Sequence, residues 1–387
     1  MRSGRYDYPR MNNVRYGQRW TEALRDEVAR LDSEWVFVVA SGSLLEAAPL
    51  AHDLARALGN RFAGVESGVR AHSPSEDVVR LAGQARKAKA DLLVAIGGSS
   101  VTDAVKVMRI AMEAGVETPA ALSGYRNTSG SPARRLSLPL PCVAIPTTLS
   151  GAEFTALAGI TNLDLGVKES YRHPDLAPAS VILDPALTVH TPEVLWLSSG
   201  VRAVDHAIED ICSINGNPFS DAASIHALRL LLPSLKRTKA DPADLDARLD
   251  SMIGAWLSLV GTQGGVDKGV SHAIGHILGG SAGVPHGLTS CIILPHALQW
   301  NAAVNADRQR IASEAMGAPD TPAGEIVARL IADLGLPHRL QDVGITYDDL
   351  DRLAELTMRD RWVPTNPRRI AGASDVREIL EMAWQAV

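Results

Sequence analysis

The apolar positions of the chain change rhythm near residue 188. Before it, short β-branched runs alternate with amphipathic stretches; after it, apolar residues recur at spacings of three and four almost to the end. Arg15 to Gly17 reads as a short strand and turn, followed by an amphipathic helix from about Thr21 to Leu31. Trp35-Val-Phe-Val-Val-Ala40, closed by Ser41-Gly42-Ser43, reads as a buried parallel strand feeding a helix. Arg61 to Glu66, a helix from about Ser75 to Lys89, and the strands Leu92–Ile96 and Cys142–Ile145 continue the alternation. Strand and helix taking turns predicts a doubly wound α/β half over residues 1–188. Val181 to Pro185 carries the last β signal, so 189–387 is predicted to be an all-helical domain. Tyr125 to Arg135 is rich in turn formers and reads as a surface loop, and Lys236 to Arg248 as a polar helix connection. There is no internal repeat and no low-complexity tract.

Composition narrows the class. Hydrophobic residues make up 46% of the 387, but aromatics only 4%, so the cores are built from Ala, Leu, Val and Ile. A formal charge of −6, from 38 basic and 44 acidic residues, gives no electrostatic footprint for nucleic acid or an anionic membrane. Cys142, Cys212 and Cys291 form no CxxC pair, which argues against a disulfide framework or a zinc ribbon and for the reducing cytoplasm. The first residues lack the apolar run of a signal peptide, and no stretch is long enough to cross a bilayer. A soluble cytoplasmic protein is expected.

Two stretches of the first half suit a nucleotide. In Val94-Ala-Ile-Gly97-Gly98-Ser99-Ser100-Val-Thr-Asp103 a strand ends in two glycines and two serines, and a helix begins at once. Backbone N–H groups and hydroxyls then converge where the helix dipole is positive, which suits a pyrophosphate. A plain strand-to-helix turn favours the same residues, and the pattern is not GxGxxG. Thr147, Thr148 and Ser150 follow another strand, where open α/β sheets place ligands; taken alone, such residues are also an ordinary turn.

The second half concentrates histidine. His272 and His276, four apart, stack on one helix face; after a break at Gly279-Gly280 the chain returns with His286 behind Pro285. His206 arrives on an upstream helix, in Arg202-Ala-Val-Asp-His206-Ala-Ile-Glu209. Such a group suits either a divalent transition metal or proton transfer near neutral pH. His190, His296 and His338 read as structural. Lys106, Lys168 and Lys268 read as solvated rather than catalytic.

The motifs GGSSxxDxxK at 97–106, PTTLSGAE at 146–153, Gly166-Val-Lys168, Leu183 to Thr188, the histidines at 272–286 and Thr365-Asn-Pro-Arg368 together resemble the iron-containing (group III) alcohol dehydrogenases. The matches run in order over about residues 35–370. Within that superfamily the compact PTTLSGAE spacing and Gly166-Val-Lys168 are most similar to maleylacetate reductases. The resemblance implies a dehydroquinate synthase-like dinucleotide domain, a helical catalytic domain, an active site in the cleft between them, and a homodimer. It places the NADH or NADPH pyrophosphate on Gly97, Gly98, Ser99 and Ser100, where Ser99 stands for the family's usual third glycine and narrows the cradle slightly. Asp103 is that motif's Asp. Thr147 and Thr148 fall toward the nicotinamide half, the Ser150 hydroxyl suits the ribose or ring amide, and Lys168 is the lysine expected near the cofactor. Ser41 falls where NAD-specific members carry an Asp, so no charge repels a 2′-phosphate and NADPH is admissible.

The family's four metal ligands fall on Arg202, His206, His272 and His286, leaving His276 as the non-ligand histidine. Arginine offers no lone pair. A cation in place of a carboxylate about 4 Å from a divalent ion turns an attraction of roughly 8 kcal/mol into a similar repulsion at an effective dielectric of about 20. No metal is therefore expected, and Asp205, about 100° round the helix from His206, is a poor substitute ligand. Arg202 is expected to act as a fixed electrophile toward a substrate carboxylate or a developing oxyanion, unless it merely pairs with Asp205 or Glu209 on its own helix. His276 is the expected general acid, with His206, His272 and His286 orienting the substrate.

The reaction expected is reduction of a small oxo or unsaturated carboxylic acid by NAD(P)H, as in conversion of maleylacetate to 3-oxoadipate. Pro285-His-Gly-Leu-Thr-Ser290 lacks the second histidine that those reductases carry after Pro-His, which leaves room for another carbonyl or enone. The alternatives are a metal-dependent alcohol dehydrogenase (iron or zinc) and a cofactor-binding protein without turnover.

Overall fold

A computed structural model describes residues 6, 8, 10–127 and 136–385. The chain forms two compact units, residues 9–191 and residues 192–387 joined by 1–8. Thr191 Oγ1 donates to Thr147 O, holding that stretch to the first unit. Tyr6 belongs with the second unit: its hydroxyl donates to Val260 O, and its ring meets Phe219 edge-on.

The first unit is built on a parallel sheet of six strands: β1 (Asn13–Tyr16), β2 (Val36–Ala40), β3 (Phe62–Glu66), β4 (Leu92–Gly97), β5 (Cys142–Pro146) and, beyond a hairpin, β8 (Ser180–Leu183). Their order is β1-β8-β5-β4-β2-β3. Successive side chains of β2 point to opposite faces, so Val36, Val38 and Ala40 join one core and Phe37 and Val39 the other. The helices Trp20–Arg30 and Leu50–Leu58 cover the first face; Ser75–Lys87 and Ser99–Glu113 cover the second. That two-sided burial explains why the central strands read as unbroken apolar runs.

The hairpin, β6 (Leu157–Asn162) with β7 (Val167–Arg172), is antiparallel and was not anticipated. Asp103 Oδ2 accepts from Gly159 N, and Lys106 Nζ donates to the carbonyls of Ala152 and Leu157, tying hairpin and preceding turn to the Ser99–Glu113 helix. Lys106 is fully buried, contrary to its reading as a solvated residue. Residues 128–135 of the expected surface loop lie outside the described residues.

The second unit is helical, as its periodicity predicts. Its centre is the helix Glu193–Cys212, whose residues from Trp196 to Cys212 are all buried. The helices Pro218–Ala240, Val270–Ala282 and His286–Ala315 surround it or follow, and Asp349–Thr357 and Ala373–Gln385 close a further core. No described helix is long and apolar enough to cross a membrane.

Candidate active site

In the first unit the expected cofactor residues lie at the carboxyl ends of three neighbouring strands. Ser41 follows β2, Gly97 ends β4 with Gly98 to Ser100 after it, and Thr147 to Ser150 follow β5, and these strands are adjacent in the order β5-β4-β2. Gly97 sits at φ +155°, and a Cβ there would lie 3.0 Å from Val101 Cγ2 and 3.3 Å from Ser41 Cβ. A Cβ on Gly98 would come within 3.2 Å of Thr148 Cγ2. The first intrahelical bonds run from Val101 N and Thr102 N to Gly98 O, so the N–H groups of Ser99 and Ser100 precede them and are available to an anion. This cradle fits a dinucleotide pyrophosphate. Thr148 Oγ1 and Ser150 Oγ are 3.2 Å apart on the same rim.

Asp103 and Lys168 are placed differently. The Asp103 carboxylate is taken up by Gly159 N, so its visible work is to anchor the hairpin rather than to face the glycine turn. Lys168 lies on β7 with its aliphatic stem over Gly159, where a Cβ would overlap it.

The second unit assembles the histidines on three helices. On Glu193–Cys212, positions 202, 205, 206 and 209 share one face; on Val270–Ala282, positions 272, 275, 276 and 279 do. The helix does not break at Gly279-Gly280. It runs on to Ala282 and ends at Gly283, at φ +70°, after which Pro285 caps the helix that begins with His286. Gly279 is needed for a different reason: a Cβ there would lie 2.7 Å from His286 Cε1. Gly275 similarly leaves room, since its Cβ would stand 2.9 Å from Thr289 Oγ1 and 3.4 Å from Arg202 Nη1. The imidazoles of His206 and His272 are 4.9 Å apart between centroids, and those of His272 and His276 are 6.5 Å apart.

Arg202 is buried. Its Nη1 donates to Ser290 Oγ at 3.0 Å and lies 3.6 Å from Asp205 Oδ2. Pairing within its own helix is thus only half of its environment, because Ser290 belongs to the His286–Ala315 helix. Ser290 Oγ in turn donates to Asp205 Oδ2, which also accepts from Ser271 Oγ. Burial pushes the Asp205 carboxyl up, but His272, Arg202 and Ser290 outweigh it and hold the group below the usual carboxylate range. Burial, with His272, Arg202 and Lys268, drives His206 well below the ordinary imidazole value, so it is neutral at pH 7.

His272 is fixed by Glu209. Its Nδ1 lies 2.6 Å from Glu209 Oε2, and because a carboxylate only accepts, Nδ1 carries the proton and Nε2 points the other way. Glu209 also accepts from Gly269 N and Ser271 N, capping the helix that carries His272. The carboxylates of Asp205 and Glu209 with His272 have the composition of a metal site. Ser271 and Ser290 bond Asp205 Oδ2, and Gly269, Ser271 and His272 bond Glu209, so the group ties the three helices together, while Asp205 Oδ1 has no hydrogen-bond partner among the described residues. Behind it Lys268, also read as solvated, is buried and pairs with Asp210 while donating to His206 O.

The resemblance implies a metal at positions 202, 206, 272 and 286. A guanidinium stands at one of the four ligand positions, and it is a cation already paired with Asp205 and Ser290. That position offers a divalent ion no lone pair and sets a cation beside it. Among the described residues His206 Nδ1 and His272 Nε2 have no hydrogen-bond partner, so two buried imidazole nitrogens near Arg202 await a polar ligand. His276 differs: its side chain is 37% exposed, and its Nδ1 is 2.9 Å from Asp360 Oδ2. Burial lowers its pKa, Asp360 raises it in compensation, and Arg202 and His272 lower it further. Asp360 had no motif or spacing to mark it in the sequence.

The model of the Iron-containing alcohol dehydrogenase family matches residues 11–185, and that of the Fe-containing alcohol dehydrogenase family, C-terminal, matches 196–384. The chain belongs to the iron-containing alcohol dehydrogenase family. It is similar to maleylacetate reductase 1 of Cupriavidus pinatubonensis, at 32% identity covering 95% of this chain and 93% of that one. Dehydrogenase ALT3 of Alternaria alternata is 35% identical, covering 86% and 94%. Among solved structures, maleylacetate reductase from Agrobacterium tumefaciens superposes with a TM-score of 0.83 at 27% identity, covering 100% of this chain and 99% of that one. This iron-containing alcohol dehydrogenase family member is an NAD(P)-dependent oxidoreductase whose relatives include maleylacetate reductases.

Proposed function

We propose that the protein is a metal-independent NAD(P)H-dependent reductase of a small oxo or unsaturated dicarboxylate, with maleylacetate to 3-oxoadipate as the reference reaction. The observation that carries this reading is the buried Arg202 guanidinium, held by Ser290 beside two imidazole nitrogens without partners. Gly97, Gly98, Ser99 and Ser100 hold the pyrophosphate, and Thr147, Thr148 and Ser150 serve the nicotinamide half. Ser41 places no carboxylate against a 2′-phosphate. The bound cofactor supplies the hydride. Arg202 binds a substrate carboxylate or the oxygen that gains negative charge, and its donors are preorganised in a site that cannot solvate that charge otherwise. His206, His272 and His286 orient the substrate, and His276 delivers the proton that completes reduction of the double bond.

A panel of oxo acids and aldehydes, run with NADH and with NADPH and with or without EDTA, tests the proposal. Turnover of an oxo dicarboxylate that EDTA leaves unchanged is the expected result. EDTA-sensitive oxidation of simple alcohols overturns it in favour of a metal-dependent dehydrogenase, and cofactor binding without turnover of any substrate overturns it in favour of a binding protein.

A further inference from the structure

Two histidines on one helix face each have a carboxylate on Nδ1, and the two pairs are built for different tasks. His272 and Glu209 are both buried, and Glu209 also caps the helix, so that pair is part of the scaffold. His276 is open on one side, and Asp360 comes from the segment after the Asp349–Thr357 helix, 84 residues away. We propose that Asp360 is the positioning residue for His276: it holds the proton on Nδ1 and fixes the ring, so that Nε2 is the atom that hands a proton to the substrate. This rests on His276 being the proton donor.

The carboxylate is itself held still. Asp360 Oδ1 accepts from Trp362 N at 2.9 Å, and Asp360 N donates to Thr357 O at 2.8 Å. Trp362 packs in the core of the unit with the Arg361 guanidinium 4.1 Å over its ring, and Thr365 Oγ1 donates to Lys268 O just ahead of the histidine helix. Asp360 Oδ2 is thus delivered to His276 by a segment anchored at both sides. Because a carboxylate can only accept, one tautomer of the neutral ring is selected, and in the protonated ring Nε2–H is the proton left for transfer. The charged or titratable groups that face His276 besides Asp360 include Arg202 and His272, with His286 against the same helix face at Gly279. Asp360 is the group among these that stabilises the imidazolium.

The test compares Asp360→Asn, Asp360→Glu and His276→Gln in the full-length protein, with maleylacetate and NADH or NADPH. Asparagine keeps an acceptor for Trp362 N and so preserves the turn, but its amide no longer dictates the tautomer. Asp360→Asn is expected to lower kcat by about 10²- to 10³-fold with KM within a few-fold. Asp360→Glu is expected to restore part of that loss. Nitrogen-15 spectra of the histidine-labelled protein should show His276 protonated on Nδ1 when neutral, and a tautomer mixture in Asp360→Asn. If His276→Gln is inactive while Asp360→Asn keeps wild-type kcat and tautomer, the positioning role is overturned and the donor assignment stands. If His276→Gln turns over normally, the donor assignment falls and the proposed role of Asp360 falls with it.

Discussion

Replacing Arg202 by Asp turns the central electrostatic claim into a measurement. The Arg202 Nη1 to Asp205 Oδ2 separation is 3.6 Å. At an effective dielectric of about 20 that separation corresponds to an attraction of about 5 kcal/mol, and a second carboxylate converts it into a repulsion that is smaller only because aspartate is shorter. Arg202→Asp should therefore unfold more easily than wild type, by roughly 3–5 kcal/mol, which is the usual cost of breaking a buried pair. A divalent ion held by the new carboxylate with His206, His272 and His286 relieves the repulsion. With zinc at about 100 times its Kd the gain is about 2.7 kcal/mol, which for a unit of this size is a rise of about 5–10 °C in Tm. The assay is thermal unfolding of both proteins after EDTA treatment, with and without zinc, alongside the metal content of the gel-filtered samples. The variant should retain about one metal ion per chain and recover stability; the wild type should do neither. Stoichiometric metal in the wild type as purified, or a variant that gains none at saturation, refutes the reasoning.

Three further outcomes follow from single contacts. Gly279→Ala places a Cβ 2.7 Å from His286 Cε1 and should displace that ring, lowering kcat by about 10²-fold while the far-ultraviolet circular dichroism is unchanged; an alanine variant with full activity removes His286 from the site. Glu209→Ala strips the acceptor from Gly269 N, Ser271 N and His272 Nδ1, and should cost roughly 3–5 kcal/mol in urea unfolding, so a loss under about 1 kcal/mol contradicts the capping role. Burial pushes the Glu153 carboxyl up to about 7, above its unfolded value near 4.5, so the folded protein binds more protons and stability falls as pH rises through that interval. Glu153→Gln should be more stable than wild type by about 3 kcal/mol at pH 8 and equal to it near pH 4.5; urea midpoints that differ equally at both pH values rule this out.

The parts legible in the sequence are those whose cause is local. β2, β4 and β5 are buried on both faces, so their apolar runs predict them within a residue or two, and the glycine-serine turn after β4 is marked by its own strand and helix. The hairpin formed by β6 and β7 escaped because Leu163, Leu165 and Val167 are exposed near its tip, which spoils the inside-outside alternation. Lys106 and Lys268 were misread because the carbonyls that hold them come from Ala152, Leu157 and His206, far off in the chain. The glycine pair at 279 and 280 suggests a helix stop, but the missing side chain of Gly279 makes room for His286. Asp360 left no trace at all, since nothing in a run of ordinary charged residues says which one meets a histidine 84 positions earlier.

A buried cation needs its counter-charge built in, and the chain meets that need in a way that binds three helices together. Arg202 donates to Ser290, Ser290 donates to Asp205, and Ser271 donates to the same oxygen of Asp205. The guanidinium is thus held by the Glu193–Cys212, Val270–Ala282 and His286–Ala315 helices at once. A metal ion can exchange its ligands and depends on its supply; this positive charge does neither. Burial lowers the affinity of Arg202 for its proton, but Asp205 and Glu209 oppose that, and a guanidinium stays charged near neutral pH. A site with this construction can fix an oxygen that bears or gains negative charge. On the proposed reading, that is the physical reason to look for its substrates among carboxylates with an electron-poor double bond.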